Sequence, residues 1–493
     1  MTPGHIDFPA IGAKWYIGLT ALSHIAVASL SIGLAFVVTA AQIVGYLRKD
    51  RPYDLIAKNF QLLHVCIYNI GTILAVGLIF GLSGLFPQFW SQLFVHQFWT
   101  LIIEEFLFFL LATTLTLHYF FWDKLWGHKK MHIFMGALLT PFFLLQFYMI
   151  NGIGSFMLTS GFTEGQATLS QGILGWDRQA FYNPSFLMLT LHRALVNFAY
   201  GGFIAAGLCG YQLFRNHPPE VMETYEKGGR LAFVLGFMAF LSLPIIGYFY
   251  AHVLKYEANE AFVNLMWGKG DIIAGGIDWW WLKHFAVAAI FGMSLHYFWR
   301  ERREAGEFSL PGIMVASIAL FYLMFYLAMG MIMTYAFFWW MVFTALGGAL
   351  LARHLIRFHN GSPKALFTAA AVLSLLTVLL GGYAREASRP RFVNRISHYD
   401  SIYIPSERAP YLMVPVSPAE LPVPPPETAK EEVPGAVRLI RQKCIGCHTL
   451  ERVKNYRLSD WELIVRQMQA YGLRLSTVEA ETITRHLAAG KPY

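Results

Sequence analysis

The sequence predicts an all-α membrane protein: a polytopic bundle of about ten helical spans, followed by a small all-α unit on the outer side. Three observations carry this expectation. The 493 residues are 56% hydrophobic and only 14% charged, with a mean hydropathy of +0.45, which is the composition of a chain dissolved in lipid. Ten apolar runs are long enough to cross about 30 Å of hydrocarbon. After the last of them the composition changes abruptly to a proline-rich stretch and then to ordinary soluble sequence.

The predicted spans are 15–47, 59–83, 97–121, 132–157, 184–214, 231–254, 281–299, 311–331, 335–355 and 365–384. Each reads as a helix, because lipid offers backbone groups no partner outside the segment. From Ser309 to Leu351 no residue is charged, so the eighth and ninth spans form a hairpin with its reversal at GMIMT, 330–334. Cys66 and Cys209 lie within apolar segments and suggest no disulfide framework.

A formal charge of +8 does not indicate nucleic acid here. The lysines and arginines gather in RKDRPYDLIAK (48–58), DKLWGHKKMH (123–132), RNHPPEVMETYEKGGR (215–230), RERREAGE (300–307) and RHLIRFHNGSPK (353–364), each a turn that follows an odd-numbered span. Cytoplasmic loops carry the excess of such residues. The N-terminus and everything after about Glu386 are therefore expected on the periplasmic side of a bacterial inner membrane. The first apolar segment lacks the flanks of a removable signal peptide and is expected to be retained.

Residues 1–392 form the predicted membrane domain, 393–434 a tether and 435–493 a separate small domain. The stretch IYIPSERAPYLMVPVSPAELPVPPPETAKEEVP within the tether is too rich in proline for a helix and reads as a semi-rigid, extended connection. In the small domain stands QKCIGCHTL, 442–450. A C-x-x-C-H run attaches c-type haem: Cys444 and Cys447 add to the vinyl groups and His448 reaches the iron. A zinc cage would need a second Cys or His pair downstream, and only His486 follows. The unit resembles a class I-like monohaem cytochrome c, with WELIVRQMQAYG (461–472) similar to that family's helix bearing the sixth ligand and STVEAETITRHLAAG (476–490) to its closing helix. The resemblance points to Met468 as that ligand, with His486 and Met413 as alternatives.

Ionisable groups inside a membrane are functional-site candidates by default. His24, His192 and His284 lie near the outer surface in the first, fifth and seventh spans. Glu104 and Glu105 enter the third span from the same side, and Glu386 closes the tenth. Imidazoles and carboxylates gathered at one depth can ligate haem iron.

The local sequences carry a resemblance. GLTALSHIAVASLSIGLAF (18–36), NGIGSF (151–156), NPSFLMLTLHRALVNFAYGG (183–202) and YAREASRPRF (383–392) occur in the order of matching elements in the cytochrome bd oxidase subunit I family. The resemblance implies that His24 ligates a high-spin haem, that His192 ligates low-spin haem b, and that Glu386 and Arg389 match the ligating glutamate and the following arginine. Two or three non-covalent haems are implied, low-spin b with high-spin b or d. The chain departs from the pattern in several places. WWWLKHFAVAAIFGM (279–293) has no methionine where the family completes the low-spin haem, so His284 is expected to pair with His192, with Met293 the weaker choice. Histidine in place of methionine would lower that haem's potential. The acidic pair is adjacent as Glu104–Glu105 instead of two turns apart, so proton delivery or haem propionate contacts would differ there. Three spans stand where the family has one, and the stretch between the sixth and seventh spans is short. Lys255, Glu257 and Glu260 could take a quinol head group there, or serve as interfacial anchors.

The expected activity is that of a multi-haem electron-transfer subunit of a bd-like terminal oxidase, passing electrons between haem c and membrane haems with oxygen as acceptor. The alternative is a quinol:cytochrome c oxidoreductase without oxygen chemistry. Glu104, Glu105 and Arg389 are the candidates for the proton and charge chemistry. Expected partners are a second bd-type membrane subunit, a soluble or membrane cytochrome c, and quinol.

Overall fold

The computed structural model describes residues 13–159, 181–257, 262, 279–305, 335–387, 435–440, 461–462, 465 and 475–489. All regular structure among them is helical. The long helices are α1 (Ala13–Arg48), α2 (Arg51–Leu85), α3 (Pro87–Phe120), α4 (Lys129–Phe156), α5 (Phe186–Gln212), α6 (Pro219–Glu257), α7 (Trp279–Ala305), α8 (Tyr335–Phe358) and α9 (Lys364–Ala387). Eight of the described helices are long and apolar enough to cross a membrane, so the chain is an integral membrane protein. The described part of α7 is not among the eight, and toward its C-terminal end it carries Arg300, Glu301, Arg302 and Arg303. The expected span 311–331 lies outside the described residues.

Helix ends follow local chemistry. Lys49, with φ of 53°, turns α1 into α2, and a proline opens α2. Asn360 and Gly361, with φ of 53° and 88°, turn α8 into α9. That left-handed backbone suits asparagine and glycine best. The Arg300 guanidinium donates to Gly361 O at 2.6 Å and ties this turn to the end of α7.

The five basic turns lie at one end of the bundle, joined pairwise. Lys58 pairs with Asp123 at 2.7 Å, Lys129 with Asp54, Lys227 with Asp50 at 2.7 Å, and Arg230 with Glu301 at 3.0 Å. Exposed pairs contribute little stability each, but their reach places the turns side by side. Helix α6, expected over 231–254, runs from Pro219 to Glu257. Apolar length registers only the lipid-crossing part of a helix. Here Pro219 and Glu220 start it well outside, where the helix dipole favours an acidic first turn.

The helices meet at small residues, as membrane helices do when van der Waals contact drives association. A Cβ on Gly201 of α5 would lie 2.4 Å from Gly33 Cα of α1, and one on Gly202 2.5 Å from Gly236 Cα of α6. Gly207 of α5 faces Ala371 of α9, while Gly292 of α7 faces Ala345 of α8. Helix α5 is thus the hub, with α1, α6 and α9 around it. Replacing Gly201 with leucine is expected to destabilise the bundle by about 1–3 kcal/mol, the usual cost of overpacking. A thermal melt of the detergent-solubilised protein checks this as a lowered midpoint.

In the C-terminal region, α10 (Ala436–Leu439) and α11 (Thr477–Ala488) bury Leu439, Ile440, Ile483 and Leu487 together with Val465. Helix α11 opens on a capping box: Glu479 N–H donates to Ser476 Oγ at 3.2 Å, and Ser476 N–H to Glu479 Oε2 at 2.8 Å.

Candidate functional site

His24 sits on the α2-facing side of α1, where its Nδ1–H donates to Gly71 O at 3.1 Å. A ring N–H tied to a backbone carbonyl fixes the tautomer and leaves the Nε2 lone pair to bind a metal. The donor set therefore fits an iron-ligating imidazole. His192 sits on the α6-facing side of α5. Its Nε2 and Cδ2 would lie 3.6 Å from a Cβ at Gly247, and its ring is 5.9 Å from that of Tyr250. The missing side chain at Gly247 leaves room beside the imidazole.

These two histidines share a depth for a geometric reason. Helices α1 and α5 both run toward the end with the basic turns, and they touch at Gly33 and Gly201. His24 precedes Gly33 by the same nine residues by which His192 precedes Gly201. Nine residues are about 14 Å of rise and two and a half turns. Each imidazole therefore lies equally far above the contact and points away from it, giving two separate positions on either side of the α1–α5 pair.

Helix α7 approaches the same level. Lys283 Cδ would lie 3.8 Å from a Cβ at Gly381 of α9. His284, half-buried, is the next residue along α7. Met293 is fully buried in the core with Phe291, about 14 Å further along the helix. The end of α9 reaches α1: a Cβ on Gly382 would meet Leu22 Cδ2 at 2.6 Å. Glu386, of which the backbone is described, follows one turn later in α9.

The acidic pair splits. Gln146 of α4 donates to Glu104 Oε1 at 2.8 Å, whereas Glu105 is exposed on the outer face of α3. One residue of helix rotates a side chain by about 100°, so the two carboxylates meet different surroundings.

Arg193, Lys283 and Gln146 escaped the sequence reading, as did a column of buried polar groups among α1 to α4. Ser31 Oγ and His64 Nε2 are bonded at 2.9 Å. Gln42 donates to His132 Nδ1 at 2.9 Å, His132 Nε2–H donates to His118 O at 2.8 Å, and the two rings stack at 4.2 Å. Gln42 Oε1, Gln61 Oε1, His64 Nδ1 and both ring nitrogens of His118 have no hydrogen-bond partner among the described protein atoms. Buried polar atoms of this kind are usually satisfied by internal water. The signal available in sequence was three histidines within apolar runs, the same signal that singled out His24.

Arg389, Cys444, Cys447, His448 and Met468 lie outside the described residues, as do Met413 and Glu260. His486 is on α11, half-buried.

A family model for cytochrome bd terminal oxidase subunit I matches residues 13–268, just over half of the chain. A Bacillus subtilis (strain 168) protein described as "Putative cytochrome bd menaquinol oxidase subunit I" is 25% identical over 257 residues, a match that takes in 50% of this chain and 56% of that protein. The chain thus spans little more than half the length of that relative. The structure of bd oxidase from Geobacillus thermodenitrificans superposes with a TM-score of 0.52 at 16% identity, covering 76% of this chain and 86% of that one, a likeness of fold. By the extent of the family match, and with a helical bundle to accompany it, this chain belongs to the cytochrome bd terminal oxidase subunit I family.

Proposed function

We propose that this chain is the multi-haem subunit of a bd-like terminal oxidase, moving electrons between a covalent haem c and membrane haems, with oxygen as final acceptor. The observation that carries the reading is the equal depth and divergent direction of His24 and His192 about the α1–α5 contact. His24 would hold a high-spin haem with Glu386 nearby for another, and His192 with His284 a low-spin haem b. Bound haem supplies one-electron chemistry and, where an axial position is open, a place for oxygen.

The chain's own residues do the rest. The Gly71 carbonyl orients the His24 imidazole, and Gly247 leaves space beside His192. Glu104, held by Gln146, can accept or deliver a proton at Oε1 near the outer half of the bundle. The polar column from Gln42 to His64 can hold water between the helices. Arg389 would add positive charge after α9. The face with the basic turns would be cytoplasmic, and residues 435–493 would sit on the periplasmic side, joined by the tether 393–434. Electrons would enter from a soluble or membrane cytochrome c through haem c, or from quinol, whose name appears in that of the Bacillus relative. A second bd-type membrane subunit would cover exposed apolar faces such as that of Phe106, Phe109 and Phe120.

Carbon monoxide tests the oxidase reading. The reduced membrane haem spectrum should shift on addition of the gas, because an iron with an open site binds it. An unperturbed spectrum would replace this reading with quinol:cytochrome c electron transfer.

A further inference from the structure

The polar column among α1 to α4 has two ends and a fixed order. At the end with the basic turns, the buried Asp54 of α2 pairs with Lys129, and His132 follows Lys129 by one turn of α4. A Cβ at Gly136, one turn further, would lie 2.8 Å from both Gln42 Oε1 and His118 Nε2, so one water can bridge these two atoms. Gln61 marks the next level, because its Nε2 donates to Leu115 O of α3 at 3.3 Å. His118 stands one turn from Leu115 toward the basic turns, and His64 one turn from Gln61 in the opposite direction. Tyr68, one turn beyond His64, donates to Phe108 O of α3 at 3.0 Å. One turn further still, Gly71 O accepts from His24, and Glu104 accepts from Gln146. From Asp54 to the depth of His24 the column thus covers roughly 25 Å of helix rise.

Polar atoms stand open along its length. Gln42 Oε1, both ring nitrogens of His118, Thr140 Oγ1, Gln61 Oε1 and His64 Nδ1 have no hydrogen-bond partner among the described protein atoms, although Gln42, Gln61, His64 and His118 are at most 2% exposed. His132, Gly136, Thr140 and Phe143 share one face of α4. The Phe143 ring packs 5.2 Å from that of His64 and 5.7 Å from that of Tyr68. The open atoms therefore follow one line through the bundle. Leaving them all unpaired would be costly, whereas internal water satisfies them.

We propose that this column is a water file that carries protons from Asp54, at the end with the basic turns, to Glu104 at the depth of His24. It rests on the functional reading above, in which one oxygen molecule takes up four electrons and four protons to form two waters. A neutral imidazole has one N–H and one lone pair, so His118 and His64 can accept a proton at one ring nitrogen while releasing one from the other. His132, bonded through both of its nitrogens, holds Gln42 in place and is a positioning residue.

The first test needs no turnover. Radiolytic hydroxyl-radical labelling of the purified full-length protein should mark His64 and His118 through the water beside them, and leave Phe233, fully buried in the apolar core, unmarked. Absence of label on both histidines overturns the file. Conduction is read from oxygen uptake, which should fall roughly 100-fold in His118→Phe and in Gln61→Leu, the lower end of what a positioned proton carrier contributes. Haem content and the carbon monoxide shift should stay unchanged, and His118→Gln, which keeps a polar side chain beside the water, should recover part of the rate. If His118→Phe loses its haems, Gln61→Leu decides. Full-rate uptake in Gln61→Leu overturns conduction even where the histidines are labelled, because the water would then only fill space. A wild-type protein with neither oxygen uptake nor a carbon monoxide shift overturns the functional reading, and proton delivery with it.

Discussion

Replacing His192 with alanine should remove one low-spin haem b signal from the reduced spectrum and leave the haem c signal intact. His192 lies between α5 and α6 with space beside it at Gly247. An axial imidazole has no substitute in the alanine variant, so the effect should be loss of the signal and not a shift. His284→Ala should do the same, since the start of α7 meets Gly381 of α9 through Lys283, and the next residue, Gly382, meets Leu22 of α1, two residues before His24. Met293 lies about 14 Å further along α7 in the packed core, which is why histidine is the expected second ligand. A normal low-spin spectrum in His284→Ala would move that role to Met293. Low-temperature absorption spectra of the purified variants distinguish these results.

Deleting residues 435–493 should abolish turnover with reduced cytochrome c and spare any activity driven by quinol. An extended, proline-rich tether spans about 3.1 Å per residue, enough for the domain to reach any point on the outer surface. A domain that only received electrons from a neighbouring haem would need no such reach. We expect the Cys444–Cys447 haem to dock over His192 and His284, against the segments 84–97 or 256–280, of which 84–97 is the junction of α2 with the start of α3, and to exchange electrons with a separate cytochrome. Oxygen uptake by the truncated protein, with each donor in turn, checks this. Full-rate oxidation of cytochrome c by the truncated chain would place haem c off the path.

The bundle was legible in sequence because lipid imposes a length on every apolar run. The runs 15–47, 59–83 and 365–384 fall inside α1, α2 and α9. The grouping of basic turns was legible for a similar reason: charge distribution follows membrane sides, and the pairs Lys58–Asp123 and Lys227–Asp50 bring those turns together. Helix extensions beyond the membrane left no such mark, so α6 was expected too short. Site residues were legible where their chemistry is rare in lipid, as for His24 and His192. Their supports were not. Gly71 acts through a carbonyl and Gly247 through an absent side chain. Backbone groups and missing atoms carry no residue-type signal. Likewise, adjacency of Glu104 and Glu105 in sequence concealed their separation in space, because a helix turns successive residues apart.

The central claim is that one chain carries both a covalent haem and non-covalent membrane haems. Acid–acetone extraction of the purified protein, followed by pyridine haemochrome spectra of both fractions, tests it most directly. One c-type haem should stay with the polypeptide, and two or three haems of b or d type should pass into the solvent. Absence of covalent haem from the polypeptide, or absence of any extractable haem, would contradict it.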